Sequence, residues 1–231
     1  MQKCPCKFKP VTHVIFDMDG IIFDTEPIYE EAFIKTLVAY GIEPDYDLYA
    51  TVCGTPSPKV AEITLKKYRN LKTTHNEFIE EYRQHAKLGF KNLNLIPGVE
   101  KMIKHLHSNN IPLAIATSSS QESALQKLQR FPQIYQLFKH IVYGNDPEIK
   151  HGKPAPDSYL LCAAKFPVNP SKCLVFEDST NGMQAALAAG MQVVLIPNET
   201  VPKEQWAKAT LKVECFDDVR PELFGLPPVQ I

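Results

Sequence analysis

The chain lacks any run approaching the roughly 20 consecutive apolar residues that a bilayer-spanning helix needs, so no membrane-embedded role is expected. It also lacks a charge excess: 25 Lys and Arg stand against 26 Asp and Glu, a formal net charge of -1. Without a field of one sign, nothing argues for nucleic acid or an acidic membrane surface as partner. Cysteine is sparse, at six in the chain. Cys4 and Cys6 make a C-x-C pair without a second pair at zinc-ligand spacing, so a metal site there is not expected. Cys162 and Cys173 lie in apolar surroundings and read as small buried hydrophobes. The start, MQKCPCKFKPVTHV, carries no apolar core of a secretory signal. A reduced, cytoplasmic protein is the expectation. Internal repeats and low-complexity tracts are missing as well, and nothing marks a dimer seam, so a monomer is expected.

What is present is an ordinary globular composition. With 231 residues, 44% hydrophobic and 22% charged, the chain can bury a sizeable core as one domain or two modest ones. Short apolar runs read as buried strands at Val11–Phe16, Ile111–Ala116, His140–Tyr143, Cys173–Phe176 and Val193–Ile196. Helical patterns follow three of them, at Gln121–Arg130, Pro156–Lys165 and Asn181–Ala189. Strands alternating with helices imply right-handed crossovers and a parallel sheet covered on both faces.

From about Glu26 to Leu93 the alternation stops. Tyr29, Phe33 and Leu37 recur four apart, as do Phe78, Tyr82 and Ala86, with Ala61, Leu65 and Tyr68 marking a helix between them. The expected architecture is α/β: a Rossmann-like parallel sheet core flanked by helices, with a small α-helical cap domain inserted. The core would comprise residues 1–24 and 94–231, the cap residues 25–93, and NLNLIP would be the return linker. Ligands of open parallel sheets bind at the carboxyl ends of the strands. An insert leaving from that edge would act as a lid that excludes water and selects substrates.

Four strand ends carry polar residues of a particular kind. The first gives Asp17 and Asp19, the second Thr117 followed by Ser118, Ser119 and Ser120, the third Lys153 after a loop, and the fourth Glu177 and Asp178. Carboxylates are the hard oxygen ligands that Mg²⁺ prefers, and a lysine with hydroxyls can hold phosphate oxygens. A bound cation would also offset repulsion among Asp17, Glu177 and Asp178. Each element has a duller reading: Asp19-Gly20 as a turn, the serines as a helix cap, Lys153 as a solvated lysine, Glu177-Asp178 as compensation of a helix dipole. Their joint occurrence at four strand ends favours a site.

These residues resemble the haloacid dehalogenase-like superfamily of phosphohydrolases. The strand-D-x-D-G opening corresponds to Asp17–Gly20, the hydroxyl motif to Thr117 at the end of IAIATSS, the G-K-P-x-P-D element to Gly152–Asp157, and the acidic element to Glu177-Asp178-Ser179. The resemblance covers nearly the whole chain from Val11 onward, and the insert is similar to the family's helical cap. It implies that Asp17 attacks phosphorus to give an aspartyl-phosphate, while Asp19 protonates the leaving oxygen and later deprotonates the attacking water. It implies Mg²⁺ held by Asp17, the Asp19 carbonyl and Asp178, with Glu177 assisting. Thr117, Ser118 and Lys153 would bind phosphate. Two residues apart on an extended strand, Asp17 and Asp19 would project to one side, and Ile21–Asp24 would form a flap.

Within the family, GNDPEIKHGKPAPD, KCLVFEDSTNGMQAALAAGMQVV and the ending PELFGLPP are very similar to the animal enzymes that dephosphorylate pseudouridine 5′-phosphate. That implies a small phosphorylated metabolite as partner, with Glu26, Gly54 and Thr55 of the cap as candidate substrate contacts. Glu26 as a helix-start residue and Gly54-Thr55 as plain loop are the competing readings. A sugar- or polyol-phosphate phosphatase, a β-phosphoglucomutase-like mutase, and a non-catalytic binding module are the alternative functions.

Overall fold

Short β-branched and aromatic runs that end in polar residues set the core. The computed structural model describes residues 7–198 and 201–229, which leaves Cys4 and Cys6 outside the described residues. Strand β1 (His13–Phe16) leads through a tight turn into the short β2 (Phe23–Asp24). Four helices follow: α1 (Glu26–Ala39), α2 (Tyr46–Val52), α3 (Ser57–Lys67) and α4 (His75–Gly89). The chain returns through β3 (Asn94–Leu95), which pairs with β2, into α5 (Val99–Ser108) and β4 (Leu113–Ala116). Helix α6 (Gln121–Leu128), the single turn α7 (Pro132–Tyr135), β5 (His140–Val142) and α8 (Asp157–Lys165) come next. The chain ends with β6 (Cys173–Glu177), α9 (Thr180–Ala188), β7 (Gln192–Leu195), α10 (Lys203–Trp206) and β8 (Leu211–Lys212). It divides into two compact units, Met1–Phe23 with Leu95–Ile231, and Asp24–Asn94.

In the first unit the described strands form a six-stranded sheet in the order β5-β4-β1-β6-β7-β8, with parallel pairing throughout. Parallel strands covered on both faces carry continuous apolar runs, and Val14–Phe16, β4 and β6 are buried along their length. Ile15, Val175 and Val193 face a cluster with Tyr159, Cys162, Met183 and Ala186 from α8 and α9. On alternate positions Phe16 and Phe176 stack with ring centroids 4.9 Å apart. Helix α5, an addition to the elements expected from the sequence, buries Val99, Met102, Ile103 and Leu106 along one stripe. Strand order turns at β1, with β4 on one side and β6 on the other; such a switch point opens a crevice at the carboxyl ends.

The second unit is helical. Phe33 and Leu37 of α1 and Phe78, Tyr82 and Ala86 of α4 are buried, with the Phe33 and Tyr82 rings edge to face at 6.5 Å. Thr36 Oγ1 donates to the Ala32 carbonyl at 2.8 Å, so a polar residue on the buried stripe is satisfied. Thr74 and Glu77 form a reciprocal capping box at the start of α4. Helix α2 was not anticipated: seven residues are too short for a clear periodicity, and it is defined by the Asp45 side chain accepting from Leu48 N at 3.0 Å.

Candidate active site

Backbone pairing fixes where each candidate side chain emerges. Strand β1 stops at Phe16, and the Asp17 amide donates to the Phe176 carbonyl at 3.0 Å, which holds Asp17 beside the end of β6. The chain then bends: Ile22 N and Phe23 N both donate to the Met18 carbonyl, and Gly20 N donates to Phe23 O at 2.8 Å. Asp17 and Asp19 therefore flank a bend and are not neighbours on one face of an extended strand, as the sequence pattern had suggested. Ile21 and Ile22 are fully buried in this turn. Gly20 is required twice over, since its φ is +86° and a Cβ would overlap the Asp178 carboxylate.

Asp17, Glu177, Asp178 and Lys153 form one buried group. Lys153 Nζ donates to Asp17 Oδ1 at 2.5 Å, to Glu177 Oε1 at 2.7 Å, to the Tyr159 hydroxyl at 3.0 Å and to the Ala116 carbonyl at 3.1 Å. Its side chain is only 6% exposed. Burial pulls the Lys153 ammonium toward the neutral form, but the Asp17 and Glu177 carboxylates outweigh this and hold it charged. Burial pushes Asp17 up to about 7, with Lys153 opposing and the Glu177 charge adding to the rise. Burial likewise raises Asp178 well above the usual carboxylate range, helped by the charges of Glu177 and Asp17. Glu177 goes the other way: burial would raise it, yet Lys153 and its hydrogen bonds carry it below.

Glu177 is saturated. Besides Lys153, its Oε1 accepts from the Tyr159 hydroxyl at 2.6 Å, and Oε2 accepts from the amides of Asp178 and Ser179 and from Ser179 Oγ. Its geometry fits a residue that positions Lys153 and the β6–α9 turn. Among the described residues Asp178 has a single side-chain donor, Asn198 Nδ2 at 2.8 Å on Oδ2.

Asp19 has its own partners. Lys127 Nζ lies 2.5 Å from Oδ1, and Ser119 Oγ donates to Oδ2 at 2.8 Å. Thr117 is buried, its amide donating to the Val142 carbonyl at 3.0 Å while Oγ1 accepts from Ser119 N at 3.0 Å. Ser118 is exposed, and Ser120 caps α6. Lys127, Tyr159 and Asn198 were missed by the sequence reading, and Ser119 was read only as part of the hydroxyl cluster. Of these, Lys127 had a signal: with Ala124 and Leu128 it occupies the buried stripe of α6, where the spacing calls for an apolar residue.

A divalent cation fits the first group on two observations. Burial, and after it the neighbouring carboxylates, disfavour the ionised forms of Asp17 and Asp178, a cost that a bound cation would offset. Each has only one oxygen bonded to the protein donors described above, Oδ1 of Asp17 and Oδ2 of Asp178. Among the described residues no three His, Cys, Asp or Glu side chains converge as a preformed cage. The fit is to an ion that takes one or two carboxylates and keeps water, as Mg²⁺ does.

Glu26, Gly54 and Thr55 lie in the helical unit and are described within it. Glu26 stands in the first turn of α1, and its Oε1 accepts from Cys53 Sγ at 2.6 Å. Gly54 has φ +69°, and Thr55 Oγ1 donates to the Val52 carbonyl at 2.6 Å, a bond that closes the turn after α2. Among the described residues no helix is long and apolar enough to cross a membrane.

The chain is similar to known proteins along most of its length. The family described as "Haloacid dehalogenase-like hydrolase" matches residues 14–196. The chain is 38% identical over 222 residues to "Probable pseudouridine-5'-phosphatase" of Drosophila melanogaster, covering 95% of this chain and 96% of that protein. It is 37% identical over 224 residues to "(DL)-glycerol-3-phosphatase 2" of Arabidopsis thaliana, covering 95% of this chain and 93% of the relative. Among solved structures, β-phosphoglucomutase from Clostridium difficile superposes with a TM-score of 0.77 at 25% identity, covering 93% of this chain and 97% of that one. With its parallel sheet, its acid pair after β1 and these matches along nearly its whole length, the chain belongs to the haloacid dehalogenase-like hydrolase family, as a phosphoric monoester hydrolase.

Proposed function

We propose that this hydrolase removes phosphate from a small phosphorylated metabolite through an aspartyl-phosphate on Asp17, with pseudouridine 5′-phosphate as the favoured substrate. The observation that supports it most is the placing of Asp17 and Asp19 at the carboxyl edge of the sheet, each against its own buried ammonium. An Asp17 oxygen attacks phosphorus in line while the bond from phosphorus to the substrate oxygen breaks. Asp19 gives its proton to that leaving oxygen. In the second half, water attacks the same phosphorus, Asp19 takes its proton, and the bond to Asp17 breaks to release phosphate. Lys153 neutralises charge at Asp17 and the transferred group, and Thr117 and Ser118 are assigned to phosphate oxygens.

Asp17, the Asp19 carbonyl and Asp178 would hold Mg²⁺, with Glu177 acting behind them through Lys153 and the β6–α9 turn. Bound there, the ion supplies charge neutralisation for the phosphoryl group. Substrate choice is assigned to the helical insert, residues 25–93, through Glu26, Gly54 and Thr55. The pseudouridine preference is supported by the 38% identity to the Drosophila protein. A sugar- or polyol-phosphate phosphatase is the second reading, supported by the 37% identity to the Arabidopsis glycerol-3-phosphatase. A cytoplasmic monomer belongs to the same proposal; Cys162, Cys173 and Cys215 are free, which suits a reducing compartment.

The test is kcat/KM across pseudouridine, glycerol and hexose phosphates with Mg²⁺ and with chelator. Expected are loss with chelator, loss of roughly 10³-fold or more in Asp17→Asn, and the highest value for pseudouridine 5′-phosphate. Activity that survives in Asp17→Asn removes the nucleophile, and a pseudouridine 5′-phosphate rate no better than the others removes the substrate.

A further inference from the structure

We propose that Lys127 is a positioning residue for proton transfer, acting through Asp19; the proposal rests on the reading of Asp19 given above. Helix α6 buries Ala124, Lys127 and Leu128. Lys127 thus fills a slot that helical periodicity gives to an apolar side chain, and it is 0% exposed. An ammonium there must give up its water, and a buried ion pair of this kind adds little to stability over a well-packed apolar residue. Stability alone therefore does not account for a lysine at this place.

The geometry gives it a different task. Lys127 Nζ is 2.5 Å from Asp19 Oδ1 and 3.1 Å from Ser119 Oγ, and Ser119 Oγ is 2.8 Å from Asp19 Oδ2. The three groups close a triangle in which the ammonium donates to the hydroxyl, and the hydroxyl donates to the carboxylate. Both oxygens of Asp19 are held, so the plane of the carboxyl group is fixed although its side chain is 25% exposed. A proton-transfer group must aim one oxygen at the leaving oxygen, and misplacement by about 1 Å costs on the order of 10²-fold. Lys127 also offsets the charge that appears on Asp19 when the proton departs, near the carboxylates of Asp17, Glu177 and Asp178. The pairing is separate from Lys153, which serves Asp17.

The experiment compares two leaving groups in the full-length protein with Mg²⁺. An alkyl phosphate such as glycerol 3-phosphate or pseudouridine 5′-phosphate needs a proton on its leaving oxygen, whereas p-nitrophenyl phosphate releases a stable anion. Because kcat/KM reports steps through phosphoryl transfer to the enzyme, only the alkyl ester reads the proton donor. Lys127→Met is expected to lower alkyl kcat/KM by about 30- to 100-fold and the nitrophenyl value by less than about 3-fold. Lys127→Arg should restore the alkyl value to within about 10-fold of wild type. In the Asp19→Asn background, Lys127→Met should add no further selective loss. Equal losses on both esters, or a full additive loss on top of Asp19→Asn, overturn the proposal. Ser119→Ala probes the same triangle from its other corner; it is expected to give the same selectivity, and an even loss on both esters there also counts against it. Wild-type turnover of p-nitrophenyl phosphate, abolished by Asp17→Asn, tests the underlying reading separately.

Discussion

Gly182→Ala sets two physical effects of opposite sign against each other. Gly182 lies in the first turn of α9, its amide donating to Ser179 Oγ at 3.1 Å. Its φ is not positive, so propensity alone predicts that alanine stabilises the helix by about 1 kcal/mol. Against this, a Cβ at Gly182 would overlap the Glu177 carboxylate. That carboxylate is fully buried and accepts from Lys153, Tyr159, two amides and Ser179 Oγ. Moving it aside breaks at least two of these bonds, and hydrogen bonds to a charged group contribute about 1.5–3 kcal/mol each. Net destabilisation of about 3 kcal/mol is expected after the propensity gain is subtracted. For a protein of this size that lowers Tm by about 6–12 °C. Scanning calorimetry measures it and separates the transitions of the two units if they unfold independently. Gly152→Ala is the control, because a Cβ there meets open space, and its effect should stay within about 0.5 kcal/mol. A Gly182→Ala protein with unchanged or raised Tm refutes the steric argument.

Other expectations follow from single groups. Burial raises Asp17 from 3.8 to about 7, so between these values the folded protein binds a proton that the unfolded chain has released. That contribution to stability is present below about pH 4 and lost as pH rises through 7; in metal-free buffer, denaturation from pH 5 to 8 should show wild type losing stability relative to Asp17→Asn, and parallel curves would contradict it. Asp45 is pulled to about 2 by bonds from Lys67 and Tyr68 and caps α2 through Leu48 N. Asp45→Ala should cost about 1 kcal/mol in urea unfolding near pH 7, and the difference should shrink as pH falls from about 4 through 2, because this depressed group stabilises only while ionised. Burial pushes the Cys173 thiol up to about 12 and raises Cys162 further still, so thiol labelling of native protein at pH 8 should modify exposed Cys215 and spare both; mass spectrometry of labelled peptides checks this.

The sheet was legible because parallel strands write themselves as continuous apolar runs. The expected strands His140–Tyr143 and Cys173–Phe176 differ from β5 and β6 by one residue at the carboxyl end. Val11 fell outside β1 although it is buried, because its amide pairs with the Phe224 carbonyl instead of a neighbouring strand. The site was legible where a polar or charged residue directly follows such a run, as at Asp17, Thr117 and Glu177-Asp178. It was not legible where a partner comes from a helix. Tyr159 resembles any core aromatic of α8, and its bond to Glu177 depends on the crossover that carries α8 back against the sheet. Asn198 lies in a loop with no pattern around it, and Lys127 offers only its place on the stripe with Ala124 and Leu128, which does not say what it pairs with. The bend at Met18 was missed for a similar reason: spacing of two is compatible with strand and turn alike, and only hydrogen bonding to the Met18 carbonyl decides between them.

Adjacent acids Glu177 and Asp178 show how one peptide unit separates two roles. Glu177 is the last residue of β6, so it points into the layer where α8 and the turn into α9 supply donors. Five bonds and the Lys153 charge favour its ionised form, and burial cannot reverse them. Asp178 lies one residue past the strand, against Gly20, with only Asn198 donating to it among the described residues. There burial and the neighbouring charges dominate, and its carboxyl is raised. If the pair acted as equivalent ligands, their environments would push both in one direction. The opposite directions separate Glu177, whose charge is matched by Lys153, from Asp178 and Asp17, whose ionised forms would need a further cation to offset them. Exchanging the two roles should therefore fail: Asp178→Asn is expected to lower Mg²⁺ affinity measured by calorimetry with little loss of Tm, whereas Glu177→Gln should lower Tm by several degrees, since it strips a buried ammonium of one of its two carboxylates. Equal Tm losses in both variants would mean that the two carboxylates do the same work.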